Sequence, residues 1–138
     1  MPDTNTAIMR RFIDDVINNA DYRVLRELVH PDYVYRSPEQ ELRGPDALEA
    51  LFTAYRRGLP DLHVAIDDVF ASGDKVVARI TLTGTHAGEL MGLPATGQSV
   101  RVHGMVLSHV THGRIAEEWE MLDMLGLLRQ LGVATQAA

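Results

Sequence analysis

Residues 100–122 read Val-Arg-Val-His-Gly-Met-Val-Leu-Ser-His-Val-Thr-His-Gly-Arg-Ile-Ala-Glu-Glu-Trp-Glu-Met-Leu, and the fold is decided by how this stretch pairs with itself. Val100 to Val110 and Ile115 to Leu122 carry the β-branched alternation of two strands. Between them, Thr111-His112-Gly113 places a glycine third in a short loop, which favours a type I turn with a glycine bulge. That turn sets Val106 opposite Glu120 and His103 opposite Asp123. One face then carries Val100, Val102, Gly104, Val106 and Val110 with Ala116, Glu118, Glu120 and Leu122. The other carries His103, Met105, Leu107 and His109 against Asp123, Met121, Trp119 and Glu117. A two-residue turn would slip the pairing by one and reverse Glu120.

The second face makes consistent cross-strand pairs, Leu107 with Trp119 and Met105 with Met121, each contributing about 0.2–1 kcal/mol. An aromatic, Met-rich sheet face without helices over it usually meets a partner subunit, so a homodimer through this outer face is expected. The first face sets carboxylates among valines, with Gly104 leaving space beside them. A carboxylate in an apolar pocket prefers its neutral form, which makes it a usable general acid or base near neutral pH.

Outward from the hairpin, the period changes once, near residue 60. Ile8, Met9, Phe12, Ile13, Val16 and Ile17 give an amphipathic helix over Thr6 to Asn19. Asp21 caps a shorter helix burying Val24, Leu25 and Leu28, which His30-Pro31 ends. A short strand, Asp32 to Arg36, follows. Gly44-Pro45 opens a third helix with Leu48, Leu51, Phe52 and Tyr55 as its apolar stripe, closed by Gly58 and Pro60. Alternation at Leu62, Val64 and Ile66, and at Val76, Ala78, Ile80 and Leu82, gives two more strands around Ser72-Gly73-Asp74. Residues 87–97 form a long loop, and Met124 to Leu131 a closing helical turn ending at Gly132. Helices first and strands afterwards predict one α+β domain over residues 1–138, a curved antiparallel meander sheet wrapped by N-terminal helices around an apolar pocket.

Composition excludes several classes. There are no cysteines, hence no disulfides, thiolate metal sites or Cys nucleophiles. The formal net charge of −6 and the absence of a basic cluster argue against nucleic acid. No stretch approaches the ~18 apolar residues of a membrane span, and Met1-Pro2-Asp3-Thr4 lacks a basic, apolar leader, so a cytoplasmic location follows by default. The six histidines show no ligand spacing, and Gly84, Gly88, Gly92 and Gly97 make no phosphate-binding G-x-G-x-x-G. Neither a metal nor a cofactor is expected.

Several segments resemble the SnoaL-like polyketide cyclases of the nuclear-transport-factor-2-like superfamily. They are His30-Pro31-Asp32-Tyr33, Gly44-Pro45, residues 73–77, 84–88 and 91–97, Gly113-Arg114-Ile115, and Asp123 through Gly132. The resemblance implies a cone-shaped α+β barrel with a deep pocket and frequent dimers. It also implies a metal- and cofactor-free intramolecular aldol ring closure driven by a pocket carboxylate. That carboxylate falls at Glu120, where the cyclases carry Asp, and a histidine that accompanies it falls at Val106.

The candidate catalytic residues are therefore Glu120, His86, His103 and Asp123. Glu120 would abstract a proton alpha to a carbonyl; His86, His103 or a tyrosine would stabilise the enolate. Asp123 can cap the following turn or hold His103 in orientation. Tyr35, Phe52, Val106, Gly104, Trp119 and Glu118 are the candidate substrate-binding residues, for a small hydrophobic molecule. Two other readings stay open. One is an epoxide-type hydrolase, for which Arg79 is the mid-sheet arginine; the other is a non-catalytic dimeric module binding an apolar ligand.

Overall fold

The computed structural model describes residues 2–133. Helix α1 (Pro2–Arg11) runs on without a break into a π-helical stretch, α2 (Phe12–Asn18), then α3 (Tyr22–Leu28), β1 (Val29–Arg36), β2 (Glu41–Arg43) and α4 (Pro45–Gly58). Four long strands follow, β3 (His63–Ser72), β4 (Lys75–Thr85), β5 (Ser99–Thr111) and β6 (Arg114–Leu122), and helix α5 (Met124–Gln130) closes the chain. The sheet order is β2-β1-β6-β5-β4-β3. Its two ends do not meet, so it is a curved, open sheet.

The α+β class and the meander of β3 to β6 follow the sequence reading. Three features depart from it. Strand β1 pairs parallel to β6, where an antiparallel sheet was expected. It also begins at Val29 rather than Asp32, and β2, which the sequence pattern did not announce, pairs antiparallel with it as the edge strand of the sheet.

The helices form because their apolar residues recur on one side. Met9, Phe12, Ile13, Val16 and Ile17 are all buried, while Arg10, Arg11 and Asp14 stay exposed. Asp21 accepts hydrogen bonds from the Arg23 and Val24 N–H groups and caps α3. Pro45 occupies the first turn of α4 after Gly44 at φ +84°, a conformation costly for any residue with a Cβ. These helices cover the concave side of the sheet and bury Tyr33, Leu48, Val64, Val76, Ile115 and Leu127 in one core. Among the described residues no helix is long and apolar enough to cross a membrane.

The decisive hairpin reaches its expected register by an unexpected route. Its loop is two residues long: Thr111 pairs with Arg114, and His112 and Gly113 both lie at positive φ, +53° and +75°, the signature of a type I′ turn. Left alone, that turn would have reversed β6. A bulge at Ala116 takes up one extra residue, so that His109 pairs with Glu117 and Val106 with Glu120. The inward set consequently starts with buried Ile115, not Ala116, and continues through Glu118, Glu120 and Leu122.

Candidate active site

Tyr33 and Tyr35 sit at alternate positions of β1, and the parallel neighbour β6 offers Glu118 beside Tyr35 in the ladder. Two phenols and two carboxyls therefore converge from adjacent strands. Glu118 is 2% exposed. The Tyr33 hydroxyl donates to its Oε1 at 2.6 Å, and the Ser108 hydroxyl, directly opposite in register, donates to Oε2. Burial dominates these two donors and pushes the Glu118 carboxyl up to about 7.

Glu120 is arranged differently. The Tyr35 hydroxyl donates to its Oε1 at 2.5 Å, and no other protein donor reaches it among the described residues. Burial raises its proton affinity, Tyr35 opposes that, and the negative charge of Glu39 adds to it. The carboxyl stands where two hollows meet. One is a narrow cavity of about 40 Å³ between α1, α2, α4 and the sheet, walled by Phe12, Ile13, Phe52, Val64, Leu82, Val106 and other apolar groups. The second is a vestibule of about 400 Å³ edged by Glu39, Gln40, Arg57, Glu89 and Met91. Tyr35, Leu51, Tyr55, Glu120 and Leu122 border both.

Of the residues singled out from sequence, Glu120, Glu118, Tyr35, Phe52 and Val106 are brought together around the inner cavity. The others lie elsewhere. His103 is exposed on the outer face, its Nδ1 3.2 Å from the Thr81 hydroxyl. It meets Asp123 through the backbone, the Asp123 N–H donating to its carbonyl at 3.0 Å, while the Asp123 side chain caps α5 at the Gly126 N–H. His86 is fully buried in the loop and borders neither hollow; its Nδ1 accepts from the Thr96 N–H, and its Nε2 has no partner among the described residues. Trp119 faces outward under the Arg36 guanidinium, 5.4 Å from the ring centroid. Gly104 leaves no space: a Cβ there would come within 2.4 Å of Leu122 Cδ2 and 2.7 Å of the Met121 carbonyl. The glycine lets β6 and Leu122 pack tightly against β5.

Sequence reasoning missed Ser108 and read Tyr55 as core. Ser108 left a signal, being the polar residue at an inward position between Val106 and Val110, opposite Glu118. Tyr55 left none, because its place in the apolar stripe of α4 says nothing about a neighbouring carboxylate. Arg79, the arginine of the hydrolase reading, points away from the cavity and lies 3.7 Å from Asp67 on the outside of the sheet.

With this geometry in view, the relatives fall in line. The family model of SnoaL-like polyketide cyclases matches residues 7–131. The chain is 29% identical to the aklanonic acid methyl ester cyclase DnrD of Streptomyces peucetius, over 94% of this chain and 91% of that one. It is 33% identical to the cyclase DauD of Streptomyces sp. strain C5, covering 79% and 67%. The crystal structure of a SnoaL-like polyketide cyclase from Jannaschia sp. CCS1 superposes with a TM-score of 0.89 at 26% identity, covering 97% and 95%. The chain belongs to the SnoaL-like polyketide cyclase family.

Proposed function

We propose that this chain is a cofactor-independent acid/base enzyme that closes a ring in a hydrophobic carbonyl compound by an intramolecular aldol-type step, with Glu120 as the base. The observation that carries the reading is the place of Glu120: a proton-hungry carboxyl with one protein donor, at the junction of an apolar cavity and a vestibule open enough for an organic substrate. Vestibules of ~300–1,000 Å³ suit drug-sized molecules, so the about 400 Å³ here fits that class. The inner cavity, at about 40 Å³, holds only a small substituent or water. The reacting carbon then sits at the junction.

Tyr35 fixes one carboxyl oxygen and leaves the other for the substrate. That oxygen takes a proton alpha to a carbonyl, and the resulting enolate carbon attacks a second carbonyl of the same molecule. The new alkoxide recovers the proton from Glu120. The product is an isomer of the substrate, and the enzyme ends as it began. The outward placement of Arg79 leaves the hydrolase reading without its cation.

The compound named by the relatives, aklanonic acid methyl ester, is the first assay substrate. Glu120→Gln keeps the shape and removes the base; turnover is expected to fall about 10²–10⁴-fold. Wild-type turnover in that variant sinks the proposal.

The partner is a second copy through the outer sheet face. Phe70, Val77, Leu107 and Trp119 form one cross-strand row over β3 to β6, flanked by Met105 and Met121, which are 50% and 65% exposed. Sedimentation tests this: wild type runs as a dimer and Leu107→Asp as a monomer, and a monomeric wild type refutes it.

A further inference from the structure

The polar side chains that wall the inner cavity are Tyr35, Tyr55, Glu118 and Glu120, and they do not pair off evenly. Tyr35 donates to Glu120 at 2.5 Å. Glu118 takes its donors from Tyr33 and Ser108, neither of which lines the cavity. Tyr55 is left over. Its hydroxyl has no hydrogen-bond partner among the described residues, although Tyr55 lines both hollows together with Glu120 and feels its charge. Ring closure at this junction creates negative charge on a carbonyl oxygen, and that oxygen needs a neutral donor aimed at it. The two histidines that the sequence offered for the task are not in the cavity.

We infer that Tyr55 supplies this donor: its O–H hydrogen-bonds the carbonyl oxygen of the substrate while Glu120 takes the alpha proton. The assignment rests on the reading of Glu120 as base. As the C–H bond breaks, its electron pair forms the C=C bond of the enolate and the carbonyl π pair moves onto oxygen. The Tyr55 proton stays on the phenol throughout. Tyr55 keeps it because burial, then the charges of Glu120 and Glu39, push the phenol up to about 12, which makes it a donor at every working pH. Its helix also explains the aim. Leu51 and Tyr55 stand one turn apart on α4 and both line the two hollows, so the apolar stripe that anchors the helix brings Tyr55 to the junction.

The experiment compares wild type, Tyr55→Phe and Tyr35→Phe in two ways: turnover of aklanonic acid methyl ester, and fluorescence titration with 2-naphthol and naphthalene. Tyr55→Phe is expected to lower kcat about 10²-fold with KM within about threefold. It should weaken 2-naphthol at least about fivefold while changing naphthalene less than twofold, the loss expected from one hydrogen bond. Tyr35→Phe frees Glu120 from a bond that favours its charged form, so the rising limb of the pH–rate profile moves to higher pH and the preference for naphthol persists. Equal weakening of both aromatic probes, or no preference for naphthol in the wild type, makes Tyr55 a mere wall and overturns the inference. If Tyr55→Phe turns over normally while Glu120→Gln is dead, the donor assignment fails and the base stands. If Glu120→Gln turns over normally, the base fails instead, and the naphthol preference still decides Tyr55.

Discussion

The two faces of the β5–β6 ribbon share one backbone and one register, yet treat their carboxylates in opposite ways. Glu117 points outward, where the Arg36 guanidinium at 2.7 Å holds its carboxyl below the ordinary range, with His109 assisting. Glu118, the next residue, points inward and is raised to about 7 by burial. Glu120 shares that inward side and is raised as well. Outside, ionisation is favoured by cations and water; inside, phenol and hydroxyl donors only partly replace the lost hydration. A strand that alternates its side chains can thus carry structural ion pairs on one surface and reactive carboxyls on the other.

Forcing a third charge inward tests the difference between the two faces most severely. Val106 is 7% exposed and directly opposite Glu120, so Val106→Asp should cost about 3–5 kcal/mol of unfolding free energy, as a buried, unpaired carboxylate does. Leu107→Asp, one residue along and facing out, should cost the protomer about 1 kcal/mol or less when both proteins are measured at concentrations where the dimer is dissociated. Urea denaturation of the two variants reads the difference, and equal losses would mean that the faces are not distinct.

A smaller effect separates neighbours 117 and 118 by pH. Folded Glu118 keeps its proton to about pH 7 and the unfolded chain releases it near pH 4.5, so between those values the native state binds more protons. Stability from this group is complete at the acid end and is lost as pH rises through that window, on the order of 3 kcal/mol in all. Glu118→Gln should flatten that decline. Glu117→Gln should act in reverse, removing a contribution present at neutral pH and lost as acid protonates the paired carboxylate. Denaturation at pH 4.5 and pH 7.5 checks both, and an unchanged slope in Glu118→Gln contradicts the burial argument.

The smallest effect is on the outer pair itself. Arg36→Ala removes the bond to Glu117 and the stacking on Trp119, yet all three groups see solvent in the protomer, so its urea midpoint should move least among these variants. A midpoint shift approaching that of Val106→Asp would show the outer network to be more than a solvated ion pair.

Much of this was open to a reader of the sequence. The third helix was legible from Gly44-Pro45 and a stripe at Leu48, Leu51, Phe52 and Tyr55, because helix caps and 3.6-residue periodicity are local properties. The inward placement of Glu120 was legible from pairing parity, although the turn proposed for it was not the one that forms. The β2 hairpin was not legible, since three residues around Leu42 hold too little pattern to announce a strand. His103 and Asp123 meet by a backbone hydrogen bond just past the last ladder pair, but such a bond fixes backbones, and their side chains turn to Thr81 and to the cap of α5.

Local patterning was enough for the α+β class, the helix faces and the alternation that gives the last two strands an apolar side, because each depends on residues within a turn or a strand length of one another. Long-range packing laid β1 parallel to β6, which sets Tyr33 and Tyr35 against Glu118 and Glu120, and brought Tyr55 of α4 to the carboxyl of Glu120. Those meetings join residues more than sixty positions apart, and no local preference encodes a contact made by the packing of separate elements.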